Sequence, residues 1–448
     1  MNYIEAESYL YDLCLFGTKL GLNNIRCLLE VLGNPQSAYP IIHVAGTNGK
    51  GSVCALLQSL FTASGLKTGL YTSPHLISLR ERLKIGGSVI STRDFISVLQ
   101  KVKKAVEQLN GVGLNPTFFE VVTAMAFVYF QRKKVDVVVL ETGLGGTFDA
   151  TNVVASIVSI ITNVELDHCK LLGDTFEKIA EDKAGIIKPR SVFLSAEPKP
   201  SVQSIFRRIC AERNAEFIAV TPDSLTIRRR TPKYADCDFV SQFGSIDSIR
   251  TNLIASYQRQ NIPLALEAYV RAMAVLCPDL PFDRIAGHIK RGMRHVRLQG
   301  RFHRINKFPP VIADAAHNPA GIRECISAVR REFPCYRICL VFGILADKEY
   351  EKVAEIIAPE AEEITCVKPL SKRALPAEHL AECCRKFARC GVMVEAARDW
   401  KPAVDAFIAD NLDKTVLLIC GSFYLLGDVL KRMGKTRLRV MDREADYR

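Results

Sequence analysis

Two α/β domains are predicted for this 448-residue chain, the first with its sheet read as parallel. Three observations predict them. Apolar runs bounded by turn residues alternate with helix-period segments almost throughout, which is the pattern of βα units packed around parallel sheets. The length exceeds one ordinary domain and lets each of two bury a core of its own. A fresh series of strands and helices opens after Val296 to Gly300, so the domains are set at residues 1–297 and 298–448.

In chain order, Ile41 to Ala45 reads as a buried strand, Lys50 to Ser64 as a helix closed by Gly65, and Lys67 to Thr72 as the next strand, together one βαβ unit. Helices follow over about Thr92 to Leu109 and Phe118 to Arg132, then strands Val135 to Glu141 and Ala155 to Asn163. A helix over Thr175 to Ile187 is expected to stop at Lys188-Pro189, because proline has no N–H to donate. Between about Pro222 and Arg250 an Arg/Thr/Asp/Ser-rich alternation reads as a short β excursion, before helices resume near Ser256. The second series runs strand Val311 to Ala315, helix from Pro319, strand Ile338 to Phe342 and helix from Lys348. Strands Glu363 to Val367, Val392 to Ala396 and Val416 to Cys420 complete it.

Composition narrows the function classes. Runs such as Val153 to Val164 are too short and too polar to span a bilayer, and the acidic N-terminus lacks the basic-then-apolar pattern of a secretory signal. Fifteen cysteines, an odd number without Cys-x-x-Cys spacing, fit a reducing cytoplasm. Cys383-Cys384, and Cys335 with Cys339, read as small buried hydrophobes rather than a metal or redox site. A net charge of +12 suits nucleic acid, an anionic membrane surface or polyanionic small molecules. The basic stretches Arg228-Arg-Arg230 and Lys431 to Arg439 lack the interleaved aromatics of a single-strand platform and read as solvated surface. Neither nucleic acid nor membrane is expected as a partner.

The informative segment is His43-Val-Ala-Gly-Thr-Asn-Gly-Lys-Gly-Ser52. A strand entering Gly46, Thr47, Asn48, Gly49, Lys50, Gly51 and Ser52, followed by a helix, gathers backbone N–H groups and a helix N-terminus around an anion. Lys50 is then available for the outer phosphates of a nucleotide. The segment departs from GxxxxGK[ST], because Gly51 separates Lys50 from the Ser52 hydroxyl. Phosphoryl transfer calls for Mg²⁺, which prefers hard oxygen donors. Glu141 ends a strongly apolar strand where a carboxylate would project into the crevice beyond the sheet, and is the leading metal ligand. Ser52 offers its hydroxyl to the same metal or caps its helix.

Other motifs accompany the loop: Tyr71-Thr-Ser-Pro-His-Leu76, Glu141-Thr-Gly-Leu-Gly-Gly146, Asp149-Ala-Thr-Asn152, Ile161-Thr-Asn-Val-Glu-Leu-Asp-His168 and Glu181-Asp-Lys-Ala-Gly-Ile-Ile-Lys-Pro189. Gln299-Gly-Arg-Phe302, Asp314-Ala-Ala-His-Asn318 and Gly421-Ser-Phe-Tyr-Leu-Leu-Gly427 follow in the second series. Loop and motifs, in this order over nearly the whole chain, resemble the folylpolyglutamate synthase and dihydrofolate synthase branch of the Mur ligase superfamily. The resemblance implies an N-terminal P-loop, Mur-ligase-like ATPase domain over 1–297 and a smaller C-terminal Rossmann-like glutamate-ligase domain over 298–448.

It also implies roles. Ser73 and His168, read as lying at strand ends, become ligands of a second Mg²⁺ near Glu141, although imidazole is not a favoured ligand of that ion. Lys183, by its neighbours a surface ion pair, becomes a carbamylated lysine. Arg301, Asp314 and His317 become ATP contacts, with Lys50, Lys183 and His317 carrying the catalysis. Gln258 and Asn261 resemble the adenine-side pair, although Ala255 and Tyr257 replace the family's usual Gly and His. Arg82, Phe119 and Asp149 fall on the pterin-substrate side, where Thr147-Phe148 replace a basic residue and leucine.

The implied reaction is ATP-dependent addition of L-glutamate to dihydropteroate and to reduced folates through an acyl phosphate, by a cytoplasmic monomer. The compact length favours one enzyme with both activities over a monofunctional synthase. A Mur ligase acting on a UDP-linked peptidoglycan precursor would need a nucleotide-sugar domain before the loop, where only about forty residues stand. A non-catalytic nucleotide-binding module would explain the loop but not the company it keeps.

Overall fold

The computed structural model describes residues 1–13, 21–231 and 233–434. Residues 435–439 of the basic tail, and the end of the expected second domain, lie outside the described residues. Two compact units emerge, one from Met1–Ile254 with Gln258–Val296, the other from Ala255–Tyr257 with the residues from Arg297 on. Both are mixed α/β.

The first unit is organised by an eight-stranded sheet. Its strands are β1 (Ile41–Ala45), β2 (Thr68–Tyr71), β3 (Leu83–Ile85), β4 (Ser88–Val89), β5 (Val137–Glu141), β6 (Val158–Ile161), β7 (Val192–Ser195) and β8 (Glu216–Ala219). They lie in the order β4-β3-β2-β5-β1-β6-β7-β8. β3 pairs antiparallel with both β2 and β4; every other ladder in the sheet is parallel. Alternation sorts the central strands between two cores. Ile41, Val138 and Leu140 pack with the helices Thr92–Asn110 and Phe118–Lys133. Ile42, Val44, Val137 and Val139 pack with Lys50–Ala63 and Gln258–Leu276 on the other side. Burial on both faces is why these strands read as unbroken apolar runs.

The irregular stretch forms a separate antiparallel sheet of β9 (Leu225–Arg230), β10 (Ala235–Ser241) and β11 (Gly244–Thr251), so the expected β excursion is there. Arg228 and Arg229 lie exposed on its edge strand.

Two elements end earlier than expected, each for a visible reason. β6 stops at Ile161 because Thr162 and Asn163 turn aside to bond Asn48 of the glycine loop. The helix predicted to Ile187 spans Phe176–Ala184, so Pro189 does not end it. The Asp182 carbonyl, which a continuing helix would offer to Ile186, instead accepts from the N–H and hydroxyl of Thr147 and from the Gly185 N–H.

The second unit is built on β12 (His303–Asn306), β13 (Val311–Ala313), β14 (Arg337–Phe342), β15 (Ala361–Val367), β16 (Met393–Ala397) and β17 (Thr415–Cys420). They are ordered β12-β13-β17-β14-β15-β16, parallel except for β12. The expected strands are present with ends shifted by one to two residues. β12, a four-residue edge strand with one buried position, carries too little apolar pattern to be read from sequence. All fourteen described cysteines are free thiols. Among the described residues no helix is long and apolar enough to cross a membrane.

Candidate active site

The carboxyl ends of β2, β5, β1 and β6 lie level, with Tyr71 opposite Leu140, Val44 opposite Glu141 and Ala45 opposite Ile161. In an open α/β sheet this is the edge at which ligands bind. The glycine loop leaves β1 here. Gly46 has φ +139°, and a Cβ on it would stand 1.9 Å from Oγ1 of Thr162; on Gly49, at φ +85°, it would stand 2.4 Å from Oδ1 of Asn261. Only glycine fits both places.

Neighbouring segments hold the loop in shape. Thr47 donates its N–H to the Asn163 carbonyl at 3.0 Å, and Asn48 donates to Oδ1 of Asn163 at 2.9 Å. The Thr47 hydroxyl accepts from the Glu165 N–H at 3.0 Å. Gln258 donates to the Ser52 hydroxyl at 3.5 Å and accepts from Asn261 at 3.1 Å. The expected adenine-side pair thus packs, buried, against the first turn of helix Lys50–Ala63. That helix has glycine at its N-cap and no side-chain cap, so the positive end of its dipole is presented at the loop. Lys50 Nζ donates to the carbonyls of Gly46 at 2.9 Å and Thr47 at 3.2 Å, which parks its charge over the cradle.

Glu141 ends β5 and is 3% exposed, with Oε2 accepting the Ser73 N–H at 3.1 Å. Both carboxylate oxygens stand 3.9 Å from where a Cβ on Gly51 would lie, so the carboxylate faces the phosphate helix. A strand-end carboxylate and the Ser52 hydroxyl, one residue from Gly51, are hard oxygen donors. They fit Mg²⁺, which takes few protein ligands and keeps waters or phosphate oxygens for the rest. Among the described residues no group of three or more His, Cys, Asp or Glu is arranged to hold a metal. Contrary to expectation, His168 does not sit at a strand end. It lies beyond Ile161 in the loop after β6, at φ +54° and heading the short helix Cys169–Leu172, with its ring 3.8 Å from Asp167.

Lys183 overturns its surface reading: it is 3% exposed, on the inner face of helix Phe176–Ala184. Burial, and secondarily the charge of Lys50, pull its pKa down to about 7, against the opposing pull of Asp182, Asp167 and Asp149. A substantial neutral fraction at physiological pH makes this amine nucleophilic. Lys50 of the glycine loop is thus near enough for its charge to act on this amine.

Where the substrate is expected, Arg82 Nε donates to Nδ1 of His75 at 3.1 Å, and its guanidinium lies 5.3 Å from the Phe118 ring centroid. Burial, and then Arg82, hold His75 neutral with its pKa at about 3. Phe119 lies against Gly143, in the turn after Glu141, where a Cβ would meet its ring at 2.4 Å. Glu120 serves its own helix as a capping box with Thr117. Asp149, expected at the substrate, is buried; its oxygens accept from the N–H groups of Gly143, Leu144 and Thr151 and the hydroxyl of Thr151.

The second unit gathers its own set at the end of β13. Asp314 is 3% exposed and accepts from the Phe302 N–H at 2.7 Å, the Ala316 N–H at 2.9 Å and the Tyr257 hydroxyl at 3.1 Å. Burial raises its pKa, opposed first by Arg301. Arg301 lies 5.0 Å from the Phe423 ring centroid, and the His317 ring meets the same aromatic at 5.8 Å. His317 donates from Nδ1 to the Ala315 carbonyl at 2.8 Å, which leaves Nε2 as its acceptor nitrogen. Asn318 caps helix Pro319–Glu332. Sequence reasoning did not single out Phe423, Asn163, Phe118 or Thr151, although the motifs beginning at Gly421, Ile161 and Asp149 contain three of them and Phe118 stands next to Phe119.

A glycine loop, a carboxylate and a buried lysine at the strand ends of one α/β unit, followed on the chain by a second, form the arrangement of the Mur class of ligases. Residues 44–269 match the Mur ligase middle domain and residues 300–423 the Mur ligase glutamate ligase domain. The chain is 32% identical over 444 residues to the dihydrofolate synthase/folylpolyglutamate synthase of Bacillus subtilis, covering 96% of this chain and 99% of that one. Mycobacterium tuberculosis folylpolyglutamate synthase, complexed with ADP and AMPPCP, superposes with TM-score 0.86 at 29% identity, covering 97% of this chain and 100% of that one. Escherichia coli FolC in complex with DHPP and ADP gives TM-score 0.82 at 26% identity, covering 96% and 98%. The chain belongs to the dihydrofolate synthase/folylpolyglutamate synthase family of Mur ligases and is a ligase.

Proposed function

We propose that the enzyme couples ATP hydrolysis to addition of L-glutamate, both to dihydropteroate and to reduced folates. The observation that carries this reading is the convergence of the glycine loop, Glu141 and buried Lys183 at one sheet edge, in a chain similar end to end to named synthases of both kinds.

In the first step a substrate carboxylate oxygen bonds to the γ-phosphorus of ATP as the bond to ADP breaks. The amine of glutamate then attacks the acyl carbon; the amide forms, and phosphate departs with one amine proton. Gly46, Thr47, Asn48, Gly49, Lys50, Gly51 and Ser52 bind the nucleotide's phosphates, and Lys50 stabilises charge on the transferred group. Gln258 and Asn261 keep the loop in register. Glu141 and Ser52 would hold Mg²⁺, and Ser73 and His168 a second ion, which would supply charge neutralisation for the phosphoryl group. Lys183, as a carbamate, would add an anion to the site; its lowered pKa supports the modification, because only the neutral amine attacks CO₂. Arg301, Asp314 and His317 contact ATP from the domain of residues 298–448, while Arg82 and Phe119 in residues 1–297 border the pterin. The cysteine usage supports a cytoplasmic setting, and the enzyme acts as a monomer without nucleic acid or membrane.

The test is glutamate-dependent ADP release, run in parallel with dihydropteroate and tetrahydrofolate and with mass detection of products. Turnover with both supports the double activity, and turnover with one reduces it to a monofunctional synthase. Nucleotide binding without turnover would reject the reading.

A further inference from the structure

The Asp149-Ala-Thr-Asn152 motif does its work inside the protein. Asp149 Oδ2 accepts from the N–H groups of Gly143 at 2.9 Å and Leu144 at 2.8 Å, in the turn that follows Glu141. Its Oδ1 accepts from the Thr151 N–H at 3.0 Å and the Thr151 hydroxyl at 2.5 Å. That hydroxyl in turn lies 2.7 Å from Nε2 of His43, on the strand that leads into the glycine loop. All three side chains are buried, His43 and Thr151 completely.

Asn152 extends the network. It donates to the Thr147 carbonyl at 3.1 Å and the Gly185 carbonyl at 3.2 Å, tying the turn to the end of the Lys183 helix. The turn is also packed without slack, since a Cβ on Gly146 would stand 2.5 Å from the Lys183 carbonyl oxygen. One motif therefore touches the strand of the glycine loop, the turn behind Glu141 and the helix of Lys183.

We propose that His43 and Thr151 are positioning residues, which set the Gly143–Gly146 turn, and through it Glu141 and Lys183, against the glycine loop by a directed chain from His43 Nε2–H to Thr151 Oγ1 to Asp149. This rests on the ligase reading above.

The direction of the chain follows from chemistry. An ionised carboxylate accepts only, so the Thr151 proton points to Asp149, and the hydroxyl's lone pair is left to receive the Nε2–H of His43. Nδ1 of His43 is buried without a hydrogen-bond partner. In the Nε2–H tautomer that nitrogen is a bare acceptor; in the other it would be a buried, unpaired donor, which costs more. Burial keeps the ring neutral, with its pKa at about 3.

Two measurements test this. Thr151→Val keeps the side-chain shape and breaks the chain at its middle. Loss of a partner that orients metal-site groups typically costs about 10- to 100-fold in activity. The expected result is a fall in kcat of that size, with ADP affinity in the absence of metal changed by less than about twofold, and recovery of most of the loss in Thr151→Ser. A Val variant with wild-type kcat, or a Ser variant no better than Val, would overturn the proposal. The second measurement uses the unmodified enzyme, so it stands even where Thr151→Val fails to fold. Nitrogen-15 spectra of histidine-labelled protein, with His43 assigned by its loss in His43→Asn or, failing that, by its resistance to titration, should show the Nε2–H tautomer across neutral pH. The Nδ1–H tautomer or a charged ring would overturn it. Wild-type turnover tests the ligase reading separately.

Discussion

The guanidinium of Arg301 lies 5.0 Å from the centroid of the Phe423 ring. The His317 ring approaches the same aromatic at 5.8 Å, so two groups proposed to contact ATP share one apolar platform. A cation over an aromatic face contributes about 0.5–2 kcal/mol, or about 2- to 30-fold in affinity. Phe423→Leu keeps the hydrophobic contact and deletes the π face. It should raise KM for ATP within that range and leave KM for the folate substrate unchanged, as steady-state titration of each will show. An unchanged KM for ATP would remove Arg301 from the nucleotide.

Lys50 bonds to the carbonyls of Gly46 and Thr47 in its own loop, and its loss removes the charge proposed to meet the phosphates. Deleting a preorganised donor to a transition-state oxyanion costs about 10²–10³ in kcat. Lys50→Ala should lose at least that much in the coupled ADP assay, with the variant's fold checked by circular dichroism. Retained turnover would contradict the role assigned to the loop.

Lys183 predicts a pH dependence of definite sign. Its folded pKa is near 7, below the ordinary 10.5, so between these values the unfolded chain holds a proton that the folded chain lacks. Stability should therefore rise with pH through that window, and the contribution should be lost as pH falls toward 7 and below. Urea unfolding in bicarbonate-free buffer between pH 6.5 and 9 tests this, with Lys183→Met expected to flatten the slope. In bicarbonate, carbon-13 spectra should show a carbamate signal that weakens below about pH 7 and is absent from Lys183→Met. A slope shared by wild type and variant would move the lysine out of the account.

What could be read in the sequence divides along a physical line. β1 and β5 were legible because burial on both faces writes a continuous apolar run, and the glycine loop because Gly46 and Gly49 occupy places a Cβ cannot. From its neighbours alone Lys183 reads as a surface ion pair, because its helix carries Glu181 and Asp182 beside it and local charge resembles surface; only the family resemblance put it at the site, and the tertiary packing of Gly146 on its backbone puts it inside. Arg82 and Phe119 were seen as neighbours in function, yet the arginine stacks on Phe118 while Phe119 turns toward Gly143. Adjacent aromatics on a helix point about 100° apart, and sequence does not say which neighbour each ring meets.

Arg82 offers a test confined to the substrate side. Its charge is the second cause, after burial, that depresses His75, and its Nε supplies the hydrogen bond to Nδ1. Arg82→Ala should raise the His75 pKa from about 3, by a shift that burial limits, and should raise KM for the folate substrate by about tenfold, the worth of one charge-assisted hydrogen bond. KM for ATP should not move. Histidine-selective NMR titration and steady-state kinetics read the two effects separately, and a change in KM for ATP alone would reassign Arg82 to the nucleotide.

Glu141 carries the sharpest prediction about metal. Its carboxylate is almost fully buried, accepts the Ser73 N–H and faces the helix that presents Ser52. Glu141→Gln keeps the shape and an oxygen for the Ser73 N–H while removing the buried negative charge. With one anionic ligand gone, the Mg²⁺ concentration giving half-maximal turnover should increase by at least about tenfold, the range expected for loss of a metal-site group. Binding of Mn²⁺ followed by its paramagnetic resonance should weaken in parallel, which separates a metal effect from a general loss of activity. Overlapping Mg²⁺ activation curves for the two proteins would show that Glu141 holds the loop and Ser73 together and leaves the metal to other groups.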